Sequence, residues 1–152
     1  MSERRIDVFF YGLFMDTAIL RAGGVAEPEN PRRAFVEEFE LRIGARATLV
    51  PAAGSRAYGM LFALTHTALD LLYAAPGLEA YRAEAIDAQT FDEKVAPALC
   101  YNLRHAPAAD EWNPGYASRL QEVLGRLDFP EWYVASIAKR VASPLLSDKP
   151  AG

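Results

Sequence analysis

Residues 9–16 read FFYGLFMD, and this pattern places an apolar strand directly before a Tyr11-Gly12 turn. Glycine at position 12 would let a ligand approach the backbone closely. The N–H groups of Gly12, Leu13 and Phe14 lead into a helix start, which favours negative charge. The stretch therefore has two interpretations: an anion-facing rim with Tyr11 as the first substrate contact, or a plain strand–helix connection.

Carboxylates that could act as a general base follow the Pro76-Gly77 break. Glu79 lies two residues past the glycine, and a turn there could fold its side chain back over the rim. Glu84 lies within the next strand. A carboxyl group whose pKa is raised by burial can accept a proton near neutral pH. Glu79 is thus the first candidate base and Glu84 the second, with solvated surface roles as the alternative. Tyr81, which begins the strand after the break, could line the same pocket.

Other catalytic chemistries find little support in the sequence. It contains no GxxxxGK[ST] phosphate loop, no GxGxxG, no HExxH and no GxSxG. His66 and His105 are far apart and have no evident partner, so we expect neither a metal site nor a Ser-His-Asp triad. Cys100 lies in an apolar run and is expected to be a buried structural thiol. We expect no metal and no other cofactor.

The composition is that of one domain with a substantial core. The chain has 152 residues, of which 51% are hydrophobic and 24% charged. We expect a single domain over residues 1–142 and a flexible tail over residues 143–152. The net charge of −4 argues against nucleic-acid binding, which needs a basic face. The sequence shows no signal peptide, no membrane span and only one cysteine, which favours a cytoplasmic protein. The Tyr11-Gly12 turn favours a small-molecule partner. The oligomeric state stays open.

Hydrophobic periodicity predicts the elements that would position these residues. Short apolar or alternating runs predict strands at residues 6–11, 34–43, 47–51, 58–64, 81–89 and 94–103. Residues 25–31 are predicted to be a loop and residues 52–55 a turn.

Helices are predicted from caps and apolar stripes. Asp16 would cap a first short helix and Thr65 a second one. Pro114 and Pro130 would each begin a helix near the C-terminus. The resulting order predicts an α+β fold with a mixed sheet curled around its own core.

The order and spacing of these pieces resemble the γ-glutamylcyclotransferase-like superfamily. The matching pieces are the Tyr11-Gly12 turn, Tyr58-Gly59-Met60-Leu61-Phe62-Ala63-Leu64, the helix with Leu69 and Leu72, Pro76-Gly77 before Tyr81-Arg82, Cys100-Tyr101-Asn102, and Gly115-Tyr116-Ala117-Ser118-Arg119-Leu120. The resemblance spans nearly the whole chain, and its specificity lies in the order of the pieces, since Tyr-Gly alone is common.

The resemblance implies a small mixed β-barrel with flanking helices, a helical C-terminal region and a pocket at one barrel mouth. It also implies a reaction in which the free α-amine of a γ-glutamyl group attacks its own γ-carbonyl. The products are 5-oxoproline and a released amine or amino acid. A carboxylate would take the proton from the α-ammonium, and the turn's N–H groups would hold the substrate.

The sequence departs from the superfamily pattern in two ways. Leu13 and Phe14 stand where active members commonly carry small or polar residues, so the pocket should be more apolar. The superfamily's glutamate before the glycine is absent, because Ala74, Ala75 and Pro76 precede Gly77.

Three functions therefore remain for the chain. The preferred interpretation is a 5-oxoproline-forming cyclotransferase with Glu79 as provisional base. The alternative is a non-catalytic module on the same fold that binds an amino-acid-like or acyl ligand. A third hypothesis is an interaction protein that presents Trp112 and Trp132 to a partner.

Overall fold

The structure is a computed structural model and describes residues 4–25, 28–107 and 113–137. Its elements in chain order are β1 (Arg5–Phe10), a 3-10 turn (Leu13–Met15), α1 (Thr17–Ala22), β2 (Glu29–Ile43), β3 (Ala47–Thr65), α2 (His66–Tyr73), β4 (Tyr81–Thr90), β5 (Val95–Leu103) and α3 (Pro114–Arg126). A further helical segment spans residues 131–137. The tail predicted for residues 143–152 lies outside the described residues, and so does Trp112.

The five strands close into a barrel in the order β1-β3-β2-β4-β5. β1 is antiparallel to β3 and parallel to β5, while the β2–β3, β2–β4 and β4–β5 pairs are antiparallel. The prediction of an α+β fold with a mixed β-barrel is confirmed. These directions bring the ends of β1, β2 and β5 to the same rim as the starts of β3 and β4, which we call the upper rim.

Strand lengths differ from the sequence prediction at two places. β2 already begins at Glu29, inside the predicted loop. β3 runs without interruption through the predicted turn at residues 52–55. Gly54 adopts a φ of 79°, and its amide donates to the Glu38 carboxylate over 2.8 Å. The register shifts between Glu37 and Phe39, so the long β2–β3 hairpin absorbs the glycine as an irregularity in the ladder.

Local capping signals in the sequence predict the helix starts correctly. The Asp16 carboxylate accepts from the Ala18 amide, and the Thr65 hydroxyl accepts from the Ala68 amide. These caps fix where the connections from β1 and β3 turn into helices. They therefore determine how the chain leaves both strands.

Apolar side chains from the strands and helices form one continuous core. Cys100 is fully buried in it, as predicted, and burial raises the pKa of its thiol to about 12. A thiol in that state is protonated at neutral pH, which fits a packing role. Within the part of the chain that the structure describes, no helix is both long and apolar enough to cross a membrane.

Candidate functional site

A cavity opens between the upper rim of the barrel, the turn after β1, and the helices α2 and α3. The cavity has a volume of about 240 Å³. A single water molecule needs a cavity of only about 10–15 Å³, so this cavity could hold a small molecule. Five of the seven tyrosines in the chain line it, namely Tyr11, Tyr73, Tyr81, Tyr101 and Tyr116.

Barrel topology explains why residues so distant in sequence meet at this cavity. Tyr11 follows β1, Tyr101 lies near the end of β5, and Tyr81 begins β4. Because β1 and β5 are parallel and β4 is antiparallel to β5, all three positions fall at the upper rim. Tyr73, the last residue of α2, and Tyr116, in the first turn of α3, close the cavity from outside the barrel.

Two of these hydroxyl groups are bound to main-chain carbonyls. The Tyr11 hydroxyl donates to the Tyr101 carbonyl over 2.7 Å, and the Tyr81 hydroxyl donates to the Ala47 carbonyl. Tyr11 is only 6% exposed, so its bond satisfies a polar group inside the core. Both tyrosines therefore tie strands together at the rim as well as lining the cavity.

Aromatic contacts shape one wall of the cavity. The rings of Tyr73 and Tyr101 stack at a centroid distance of 3.9 Å and an angle of 9°. Phe14 meets Tyr73 edge-on at 6.1 Å, and it meets Phe10 edge-on at 5.8 Å. Leu13 and Phe14 therefore line the cavity rather than filling it, and the wall is as apolar as their presence in the turn predicts.

The amide of Leu13 already has a partner, because it donates to the Tyr116 hydroxyl over 3.2 Å. Gly12 permits this contact, since a Cβ atom at position 12 would collide with the same hydroxyl oxygen. The close approach that the sequence suggested for a ligand is thus made by a side chain of α3. A ligand that used the Leu13 amide would have to displace Tyr116.

Arg46 has the one charged side chain among the described residues that line the cavity. It lies in the connection between β2 and β3, at the upper rim, and is exposed. Its guanidinium packs against Gly77, which adopts a φ of 91° and leaves no room for a Cβ atom beside the Arg46 nitrogen. Arg46 makes no ion pair with any carboxylate in the described part of the chain.

Glu79 lies outside the cavity lining and is exposed. Its two carboxylate oxygens accept from the Gly77 amide over 2.8 and 3.2 Å. Hydrogen bonds from its own amide and from that of Gly77 lower the pKa of this carboxyl, with a smaller contribution from the charge of Arg46. A general base at neutral pH needs the opposite shift. In this arrangement Glu79 closes a local turn.

Glu84 is exposed on β4 and also lies outside the cavity lining. Its carboxylate accepts from the side-chain amide of Asn102 over 2.6 Å. Asn102 is 4% exposed, and its carbonyl oxygen in turn accepts from the Leu49 amide over 3.2 Å. Glu84 thus completes the hydrogen bonding of a buried amide in the barrel wall. The two candidate bases are not brought together with the predicted binding residues.

The side chains that line the cavity are mainly aromatic or apolar, and several of them can donate hydrogen bonds. Among the described residues that line it, none is an aspartate, a glutamate or a histidine. Burial raises the pKa of all five cavity tyrosines above the ordinary value of 10.0. They are therefore neutral phenols at pH 7, and none can serve as a phenolate base. No group of three or more His, Cys, Asp or Glu side chains that could hold a metal occurs among residues 4–25, 28–107 and 113–137.

Sequence analysis identified Tyr11, Gly12, Leu13, Phe14 and Tyr81 as a group, and the structure places all of them at the cavity. It missed four polar side chains that also line the site, namely Arg46, Tyr73, Tyr101 and Tyr116. A usable signal was present, since the tyrosines recur at the ends of predicted elements. Without the strand order, however, that recurrence could not be assigned to one rim.

Comparisons with known proteins find similarity in structure and not in sequence. No protein-family model matches the sequence, and no curated protein is significantly similar to it. A solved structure of a gamma-glutamyl cyclotransferase has a TM-score of 0.77, with 16% identity over 88% of this chain and 86% of that one. YkqA from Bacillus subtilis also has a TM-score of 0.77, with 21% identity over 91% of this chain and 55% of its own.

A γ-glutamyl cyclotransferase specific to glutathione from yeast is similar over 93% of this chain and 97% of its own, with a TM-score of 0.65 and 10% identity. The barrel and its flanking helices are the architecture that these proteins share with it. The chain has the γ-glutamylcyclotransferase-like fold.

Proposed function

We propose that this protein binds a small, largely apolar ligand in the upper-rim cavity and does not cyclise γ-glutamyl groups. The observation that carries the proposal is the lining itself: five neutral tyrosines, apolar side chains and one arginine, with no carboxylate among the described lining residues. Concave, mostly apolar sites with a few placed polar groups are typical of small-molecule binding.

Formation of 5-oxoproline is the second candidate, and the likeness in fold to solved cyclotransferases favours it. That reaction needs a base within about 3 Å of the α-ammonium group before the amine can attack. Glu79 and Glu84 are engaged with Gly77 and Asn102 instead. Cyclisation by either of these two carboxylates would therefore require it to leave its partner and enter the cavity.

Two assays on the full chain distinguish these functions. For turnover, the protein is incubated with γ-glutamyl dipeptides, γ-glutamylamines and glutathione, and 5-oxoproline is measured by mass spectrometry. We expect no release above the protein-free rate. Release would overturn the proposal, and its loss in Glu79→Gln would then identify the base.

For binding, a library of small acids, amides and amines is screened by thermal shift against three proteins. Leu78→Trp fills the cavity, because Leu78 lines it. Leu71→Trp places the same large side chain on α2 at a position that is 58% exposed. We expect ligands to stabilise the wild type and Leu71→Trp, but not Leu78→Trp. Equal stabilisation of all three proteins would place binding elsewhere.

A further inference from the structure

Some hydrogen-bonding groups of the cavity have partners within the protein, and others do not. Its main-chain acceptors have partners, since the carbonyls of Ala47 and Tyr101 accept from Tyr81 and Tyr11. The hydroxyl groups of Tyr73 and Tyr101, by contrast, make no hydrogen bond to another described residue. The Arg46 guanidinium adds further donors at the opening. A tyrosine hydroxyl can donate or accept, whereas the Arg46 guanidinium can only donate, so this end of the site suits a ligand that accepts hydrogen bonds.

The charge of the cavity also favours a ligand that accepts hydrogen bonds. Arg46 is the one charged side chain among the described lining residues, and it makes no ion pair with a described carboxylate. The pKa of Glu79 responds to Arg46, but its carboxylate is bound to the Gly77 amide. A guanidinium presents its donors in a planar fork that matches a carboxylate.

An ammonium group would bind less favourably than a carboxylate in the same place. No described carboxylate lines the cavity to pair with it, and Arg46 would repel it. Removing an unpaired charge from water is costly. The faces of the tyrosine rings could attract a cation, but such contacts contribute about 0.5–2 kcal/mol. A zwitterionic amino acid carries the same difficulty on its α-amine.

The body of the ligand is set by the aromatic walls. The stacked Tyr73–Tyr101 pair and the edge of Phe14 form one side, and the buried Phe9 and Phe10 form another. Aromatic and aliphatic groups pack well against such surfaces. The exposed Arg46 at the opening and the apolar interior together match a molecule with one charged end.

We infer that the ligand is an apolar monoanion, an aryl or acyl carboxylate without an ammonium group, whose carboxylate pairs with Arg46. This inference rests on the proposed binding function and adds its chemical class. It separates this site from one built for γ-glutamyl compounds, which carry an α-ammonium group.

Isothermal titration calorimetry with three probes of one shape tests the inference. The probes are 4-phenylbutyrate, 4-phenylbutanamide and 4-phenylbutylamine, which share a phenylalkyl body and carry an anionic, a neutral and a cationic end group. We expect the acid to bind about ten-fold more tightly than the amide, the range expected for a charge-assisted hydrogen bond. We expect the amine to bind more weakly still.

Two arginine variants provide the matched comparison. Arg46→Gln should reduce the acid to the affinity of the amide and leave the amide unchanged. Arg21→Gln removes an exposed arginine of α1 that lies outside the cavity lining, and it should change neither affinity.

The inference is overturned if the amide or the amine binds as tightly as the acid, if no probe binds, or if Arg46→Gln preserves the preference for the acid. Any of these results can occur without release of 5-oxoproline, so failure of the ligand class is distinguishable from failure of the proposed function. Release of 5-oxoproline would refute the proposed function.

Discussion

At the scale of single residues, hydroxyl groups distinguish the structural tyrosines of the cavity from those that are available to a ligand. Tyr11 and Tyr81 donate to carbonyls, and Tyr116 accepts from the Leu13 amide. Tyr73 and Tyr101 contribute their rings to a stack, and their hydroxyls have no hydrogen bond to another described residue. The same side chain type thus has two different tasks at one rim.

Replacing these tyrosines with phenylalanine should separate the two tasks. Tyr11→Phe leaves the Tyr101 carbonyl without its donor in a buried setting and should cost about 1–2 kcal/mol of unfolding free energy. Tyr73→Phe removes no bond to a described residue and should change that free energy by less than about 0.5 kcal/mol. Urea unfolding measures both. Equal losses would show that the Tyr73 hydroxyl also stabilises the fold.

The position of one oxygen atom, that of the Tyr116 hydroxyl, explains why residue 12 is a glycine. A Cβ atom at this position would collide with the Tyr116 hydroxyl but would lie at an ordinary 3.6 Å from the ring carbon that bears it. We therefore expect Gly12→Ala to cost about 1–3 kcal/mol. Adding Tyr116→Phe should recover much of this loss, because the colliding atom is gone. Thermal or urea unfolding of the four proteins gives the coupling energy directly.

Gly125→Ala is the control for this cycle. Gly125 lies in α3, and a Cβ atom there would meet nothing within 4 Å. Alanine at an open helix position should stabilise the protein by about 0.5–1 kcal/mol. If Gly12→Ala were as harmless as Gly125→Ala, the close contact between the turn and Tyr116 would be wrong.

At the scale of elements, α3 is attached to the turn after β1 at two points. Tyr116, near its start, binds the Leu13 amide, and Arg126, at its end, binds the Asp16 carboxylate over 3.0 Å. Asp16 also caps α1 through the Ala18 amide. One carboxylate therefore holds the start of α1 and the end of α3 together.

The charge of Asp16 should make this attachment pH-dependent. The hydrogen bond from Arg126, and then that from Ala18, lower the pKa of Asp16 in the folded state. A lowered pKa stabilises the protein above the unfolded value of about 3.9, and this contribution is lost as the pH falls through the folded value. Asp16→Asn keeps an acceptor for the cap but removes the charge.

The melting temperature of the wild type should therefore exceed that of Asp16→Asn at pH 5 to 7, and the difference should shrink as the pH falls below the unfolded value of about 3.9. High salt should reduce the difference at pH 7, since the pair with Arg126 is partly exposed. A difference that stays the same between pH 5 and pH 2 would mean that packing, and not charge, links the two helices.

Some elements could be predicted from the sequence, and others could not, for physical reasons. The caps at Asp16 and Thr65 are local, because each bonds to an amide within three residues. The continuity of β3 through Gly54 is not local, since it depends on the partner strand supplying Glu38. A glycine flanked by small residues indicates a turn unless that partner is known.

At the scale of the whole molecule, the barrel gathers a site from every part of the chain. The turn after β1 and Tyr81 were recognised from the sequence because each lies beside a glycine break. Tyr73, Tyr101 and Arg46 could not be, since only the strand order β1-β3-β2-β4-β5 brings them to one rim. The sequence predicts the architecture better than the lining, because the lining depends on which ends of the strands coincide.

The position of bound ligand is the most direct test of the account, and the tyrosines themselves are the reporters. Five of them line the cavity, while Tyr58 and Tyr133 pack against each other outside it, with ring centroids 5.0 Å apart. The measurement is an NMR titration of ring-labelled tyrosine in the full chain with 4-phenylbutyrate. The account predicts saturable shifts in the signals of the cavity tyrosines and unchanged signals from Tyr58 and Tyr133. Shifts confined to Tyr58 and Tyr133, or no shifts at all, would contradict it.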